Sequence, residues 1–199
     1  MSLDTSLQPG FADPVLEAQC AFRSLLDAMA NPGRAVPLSG LAQAPGPLSP
    51  VAAAVALTLI DHESPLWLDP ALAGSQALRA WLGFHSGAPI VASPAEAAFA
   101  LAAEPQSLPA LKDFALGSEA YPDRSTTLIL QVEACSEDGP SLSGPGLAEP
   151  RRFGAAPLPA DFWDQWRANR ALFPCGVDVI LAGPEAVAAL PRSLKVELD

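Results

Sequence analysis

Residues 126–132, Thr-Thr-Leu-Ile-Leu-Gln-Val, constrain the fold more than any other stretch of the chain. A β-branched and apolar run of that length reads as a strand covered on both faces, so the molecule must supply a layer above it and a layer below. A charged turn precedes it, Gly117-Ser118-Glu119-Ala120-Tyr121-Pro122-Asp123-Arg124, in which Pro122 fixes φ and Asp123 can bond back to the backbone. Arg124 is thereby placed at the mouth of a buried strand, where its planar fork suits a carboxylate or a phosphate. The plainer reading is that Asp123, Arg124 and Glu119 only tie the turn down.

Half of the 199 residues are apolar, enough for one sizeable core, and a single domain over 1–199 is expected. The 22 prolines and 14 glycines fall between periodic segments, which indicates many short connections and no repeat. With 22 acidic against 11 basic residues and a formal charge of -11, the chain repels phosphate backbones, so a nucleic-acid partner is not expected. Local arginines can still make a pocket for a small anion. Met1 to Asp13 lacks a basic segment followed by an apolar one, and no apolar run reaches the roughly 20 residues of a membrane span, so a cytoplasmic protein off the membrane is expected. Cys20, Cys135 and Cys175 form no CxxC and read as buried or half-buried thiols. His62 and His85 cannot make a multi-histidine site alone, and no metal is expected.

In chain order, Asp13 and Pro14 start a helix on which Val15, Phe22, Leu26 and Met29 recur as a core face until Asn31-Pro32-Gly33 ends it, with Arg23 and Asp27 as a solvated pair. Residues 34–38 are an edge strand, limited by Pro37. Residues 49–61 are a buried helix, followed by Asp61-His62-Glu63-Ser64 and a short strand at 66–68. His62 and Glu63 either line a cleft there or, for His62, cap the helix end. Residues 75–82 are helical, 89–92 a strand, 93–96 a helix cap, 99–103 a strand, 109–114 a helical turn and 136–140 a turn. Residues 141–147 and 151–153 pair across Gly144-Pro145-Gly146, with Arg151 and Arg152 as anion-binding candidates beside Tyr121 and Arg124. Residues 159–172 are a helix whose Phe162, Trp163 and Trp166 mean either core or a subunit interface. A strand at 177–182, a short helix at 185–190 and a last strand or tail at 193–198 complete a three-layer α/β/α sandwich around a mixed sheet.

Six stretches, in order along nearly the whole chain, carry a family resemblance. They are Ala21-Phe22-Arg23-Ser24-Leu25-Leu26-Asp27-Ala28-Met29, Leu57-Thr58-Leu59-Ile60-Asp61-His62-Glu63-Ser64-Pro65-Leu66-Trp67-Leu68-Asp69, Phe84-His85-Ser86-Gly87-Ala88-Pro89, Tyr121-Pro122-Asp123-Arg124-Ser125, Leu142-Ser143-Gly144-Pro145-Gly146, and Asn169-Arg170-Ala171-Leu172-Phe173-Pro174-Cys175-Gly176-Val177-Asp178. Together they resemble the PhnH family of phosphonate-metabolism proteins in the carbon-phosphorus lyase system. The resemblance implies a subunit that assembles with PhnG, PhnI and PhnJ, forms a homodimer when isolated, and is needed with PhnG, PhnI and PhnL to join the ribose triphosphate of ATP to an alkylphosphonate, releasing adenine. A radical subunit with an iron-sulfur cluster then breaks the carbon-phosphorus bond. It also implies a fold similar to the large domain of pyridoxal-phosphate-dependent (PLP-dependent) transferases without their cofactor. The residues agree: the lysines, Lys112 and Lys195, are poorly placed for a Schiff base, and three scattered cysteines cannot hold a cluster.

Two functions are compatible with this. As an interaction subunit, the chain self-associates, docks onto its partners through apolar surface such as the 159–172 helix, and does no chemistry alone. As a subunit with its own cleft, it brings His62, Glu63, Tyr121, Asp123, Arg124 and Arg151 together around ATP or an alkylphosphonate, arginines neutralising charge while His62 or Glu63 moves a proton.

Overall fold

The computed structural model describes residues 8–198, so residues 1–7, on which part of the reading of the N-terminus rests, lie outside the described part. Helix α1, Pro14–Ala30, starts at its cap: the Asp13 carboxylate accepts from the amides of Val15 and Leu16. Of the face expected to be core, only Met29 packs against the core, partly buried. Ala21, Leu25 and Ala28 point inward, while Val15, Phe22 and Leu26 are 79%, 45% and 53% exposed. The reason is close packing: small residues let α1 approach α2, Pro50–Leu59, whose own buried surface is Val51 to Ala56 and mostly alanine. Asp27 pairs with Arg34 rather than with Arg23.

The strands and remaining helices follow as β1 Val36–Pro37, β2 Leu66–Leu68, α3 Pro70–Ala73, α4 Gln76–His85, β3 Ile90–Val91, β4 Phe99–Ala102, β5 Thr127–Gln131, β6 Ala134–Ser143, β7 Arg151–Ala156, α5 Phe162–Ala171, β8 Asp178–Ala182, β9 Ala186–Leu190 and β10 Lys195–Glu197. A seven-stranded sheet has the order β1-β9-β8-β5-β4-β2-β3, and a second, three-stranded sheet has the order β10-β6-β7. In the large sheet β3, β2, β4, β5 and β8 run parallel, and β9 is antiparallel to both β8 and β1. The sheet is therefore mixed, with β5 at its middle and the pair Ile129 and Leu130 buried on its two faces. Helices α1, α2 and α4 cover one face. The other face carries α5 and the three-stranded sheet, through Phe162, Trp166, Leu142, Phe153 and Val196, so this layer is part helix and part sheet rather than helical throughout.

Three local readings are corrected. Where a helix was expected over 185–190, Ala186–Leu190 form strand β9, because the edge of β8 and the short β1 supply hydrogen bonds on both sides, and this pairing overrides alanine's helical preference. Residues 136–140 lie inside β6, where the register against β7 shifts between Ser136 and Ser141. Gly139 is required in that irregular stretch, since a Cβ there would run into the Phe153 carbonyl. Residues 93–96 make a single 3-10 turn, Pro94–Glu96. Cys20, expected to be at least half buried, is exposed on α1.

Candidate functional site

The five parallel strands share one edge at their first residues, and both charged loops singled out from sequence lie there. Asp61 to Ser64 precede β2, and the turn Pro122–Arg124 precedes β5. Because β4 lies between those strands, the loops are two strand spacings apart, roughly 10 Å. Among the described residues no hydrogen bond or ion pair joins them.

At the first loop, Asp61 folds the chain back: its Oδ1 accepts from the Glu63 amide at 3.0 Å and from the Ser64 hydroxyl at 2.8 Å. These bonds, the hydroxyl first, hold its carboxyl below the usual aspartate range, with a smaller contribution from His62. His62 and Glu63 are exposed, and the His62 Cβ faces Gly87. The helix end that His62 was a candidate to cap is closed by the Ile60 amide, which donates to the Ala56 carbonyl at 2.9 Å.

The second loop is held by residues that sequence reasoning missed. Arg192, just past β9, donates from Nη1 to the Pro122 carbonyl at 2.6 Å and engages Asp178, the first residue of β8, through Nε and Nη2. Both side chains are 15% exposed. The signal was present in the sequence as one carboxylate, Asp178, inside the apolar run 177–182. Thr126, fully buried, donates to the Ala97 carbonyl at 2.6 Å and accepts from the Ala115 amide, fixing where β5 begins. With the turn held this way, Asp123 and Arg124 are left exposed, and the Arg124 guanidinium lies 4.3 Å from the centre of the Tyr121 ring.

At the opposite edge, where parallel sheets commonly bind ligands, the ends of β2 and β5 are tied down by hydrogen bonds, while a pocket of about 640 Å³ opens past the end of β1 beside α1. The buried Asp69 carboxylate accepts from the amides of Leu72, Ala103 and Glu104, each at 2.8 Å. Gln131 is tied to Ser49 and to the Pro47 carbonyl. Lys112 is exposed and borders a groove of about 530 Å³ beside α5 that also holds Asp161 and Asp164, and Lys195 is exposed on β10; neither placement fits a Schiff base. Among the described residues no group of three His, Cys, Asp or Glu is placed to hold a metal.

Arg151 and Arg152 are in neither loop. They start β7 and line a separate cleft with Arg34 and Glu137. On α5, Phe162 and Trp166 are 1% and 0% exposed and belong to the core, so of the two meanings open for these aromatics the fold takes core; Trp163 alone is partly exposed.

A family model described as bacterial phosphonate metabolism protein (PhnH) matches residues 9–197. The chain belongs to the PhnH family. One member from Rhizobium meliloti (strain 1021), named alpha-D-ribose 1-methylphosphonate 5-triphosphate synthase subunit PhnH, is 47% identical over 190 residues, covering 95% of this chain and 94% of the relative. A protein of Stutzerimonas stutzeri, named putative C-P lyase subunit protein HtxG, is 35% identical over 182 residues, covering 90% of this chain and 86% of its own. The six PhnH stretches read from sequence thus map onto α1, the first loop with its flanks, the α4–β3 connection, the turn before β5, the β6–β7 bend and the α5–β8 connection.

Proposed function

We propose that this chain is the PhnH subunit of a cytoplasmic carbon-phosphorus lyase system, assembling with PhnG, PhnI and PhnJ and needed with PhnG, PhnI and PhnL to transfer the ribose triphosphate of ATP to an alkylphosphonate. Within that machine it works as an interaction subunit, and it self-associates when isolated. One observation carries the reading: the candidate polar residues fall in three separate places, while Val15, Phe22 and Leu26 stand exposed along one stripe of α1. A stripe of large apolar side chains on a charged surface suits a protein partner. The name of the Rhizobium relative, a synthase subunit, supports the reaction. The same reading takes the scaffold as a relative of the large domain of PLP-dependent transferases that works without the cofactor, which the exposed positions of Lys112 and Lys195 support.

The test is adenine release from ATP and methylphosphonate. The chain alone is expected to be silent, and activity is expected once PhnG, PhnI and PhnL are added. Turnover by the chain alone that disappears in Arg124→Ala would instead establish a catalytic cleft of its own at the turn before β5.

A further inference from the structure

Resting on the assembly reading, we propose that Arg124 acts in trans: projecting from the turn before β5, it binds the triphosphate of ATP in a reaction site that a neighbouring subunit completes. Its guanidinium is unspent. None of its N–H groups is engaged among the described residues, and its one contact is the Tyr121 ring, whose centre lies 4.3 Å away. Such stacking fixes the plane of the group and leaves free the edges, which match phosphate oxygens two at a time. The neighbouring carboxylates, Asp123 and Glu119, are exposed and form no ion pair with it. They outweigh it in charge, so Arg124 offers donors at short range and not a positive field. The remaining positive charge that a triphosphate requires has to come from the neighbouring subunit.

The turn is held harder than a surface loop needs. Arg192 donates to the Pro122 carbonyl at 2.6 Å and is itself paired with Asp178, both side chains being 15% exposed. An ion pair so buried gains little stability over apolar residues of the same volume, so what it contributes is position. The Tyr121 amide donates to the carbonyl and the hydroxyl of Ser118, at 3.0 and 3.1 Å. Gly117, with φ 73°, packs so closely that a Cβ there would come within 2.9 Å of the Pro122 carbonyl oxygen. Ser125, next along the chain, is 6% exposed and its hydroxyl has no partner among the described residues. A buried orphan of that kind marks a segment shaped for something other than stability. An arginine held on such a base loses little freedom when it meets a ligand. Yet Arg124 lines none of the three clefts described above, and His62 and Glu63 stand two strand spacings away. On the turn Tyr121 is its only large apolar neighbour, beside Ser118, Glu119 and Asp123, so the apolar ring that surrounds a docking anchor is missing. A site around Arg124 is therefore incomplete without another chain.

In the proposed transfer a phosphonate oxygen bonds to ribose C1′ as the bond from C1′ to adenine N9 breaks. Adenine leaves with the electron pair and is protonated by solvent, and the triphosphate is carried through unchanged. By holding that triphosphate, Arg124 places C1′ for the attack. The experiment is steady-state adenine release by the full chain mixed with PhnG, PhnI and PhnL, with ATP and methylphosphonate varied in turn. Arg124→Ala is expected to lower kcat/KM for ATP about a hundredfold, the loss of one bidentate charge-assisted contact, and to leave the KM for methylphosphonate unchanged. It should co-purify with PhnG, PhnI and PhnJ in the yield of the parent chain. Millimolar guanidinium chloride should restore part of the lost activity and sodium chloride none, a rescue that no defect of folding or docking imitates. Arg124→Lys, which keeps the charge without the fork, should stay about tenfold or more below the parent. Arg79→Gln, at an exposed position on α4, should match the parent. The proposal is overturned if Arg124→Ala keeps the parental kcat/KM for ATP, if guanidinium restores nothing, or if the KM for methylphosphonate rises instead. It is equally overturned if the variant drops out of the complex, which would make Arg124 a docking anchor, or if the free chain binds ATP through Arg124. A parent chain that confers no activity on its partners removes the assembly reading and this proposal with it. A parent chain that does, beside an unaffected Arg124→Ala, removes this proposal alone.

Discussion

Arg192 holds a turn in place with a group that cannot easily let go. Its guanidinium joins the first residue of β8 to the carbonyl of Pro122, and at 15% exposure neither it nor Asp178 has bulk water to fall back on. Removing one partner leaves the other charged and half-desolvated, which costs more than the pair is worth. Arg192→Met is therefore expected to lower unfolding free energy by about 3 kcal/mol in urea titrations, and the double variant with Asp178→Asn to lose less than the sum of the two single changes. Asp61 shows the opposite regime, an exposed carboxyl whose pKa is lowered by the Ser64 hydroxyl and the Glu63 amide. A depressed folded-state pKa stabilises above the unfolded value and is lost as pH falls through the folded one, so Asp61 supports its loop at neutral pH and releases it in acid. NMR titration should place its midpoint below that of a free aspartate, and Ser64→Ala should raise it; an unmoved midpoint would assign the shift elsewhere.

At the scale of elements, β9 is decided by its neighbours. Ala186, Val187, Ala188, Ala189 and Leu190 carry no strong preference for a strand, yet β8 and β1 pair with both of its edges, and its alternate residues are buried in different cores, Ala189 toward the α1 side and Ala188 toward the α5 side. Small side chains are what allow α1 to approach. Ala189→Leu should overpack that contact and cost about 1–3 kcal/mol, measured by thermal or urea unfolding. The same physics sets what could be read from sequence. Capped or punctuated elements were legible, as with Asp13-Pro14, Ser49-Pro50 and the β-branched start of β5, because caps and apolar runs act locally. Alanine-rich β9 was not, since its structure comes from pairing with segments distant in sequence. Phe22 and Leu26 misled for a related reason: spacing identifies an apolar stripe but not which of two stripes a helix turns inward. In the candidate site, Arg124 and Arg151 were legible by residue type, whereas Arg34 joins the cleft, and Arg192 the turn, only through the fold.

For the whole molecule, the contrast between α5 and α1 separates folding from assembly. Trp166 and Phe162 are fully enclosed, so Phe162→Ala should cost about 3–5 kcal/mol of stability and impair every property in proportion to the folded fraction lost. Phe22 and Leu26 are about half exposed, and polar substitutions at exposed positions usually change stability by no more than about 0.5 kcal/mol. The double variant Phe22→Asp, Leu26→Asp should therefore unfold at the same urea concentration as the parent. If α1 is a docking face, two carboxylates placed in it must be desolvated on association and left unpaired, a cost large enough to abolish most subunit contacts. Co-expression with PhnG, PhnI and PhnJ followed by size-exclusion chromatography is expected to show the parent in the complex and the double variant outside it, with both equally folded by circular dichroism. A double variant that enters the complex with undiminished yield would move the interface off α1, and exposed phenylalanines elsewhere, Phe84 at 69% and Phe173 at 51%, would then be the faces to substitute.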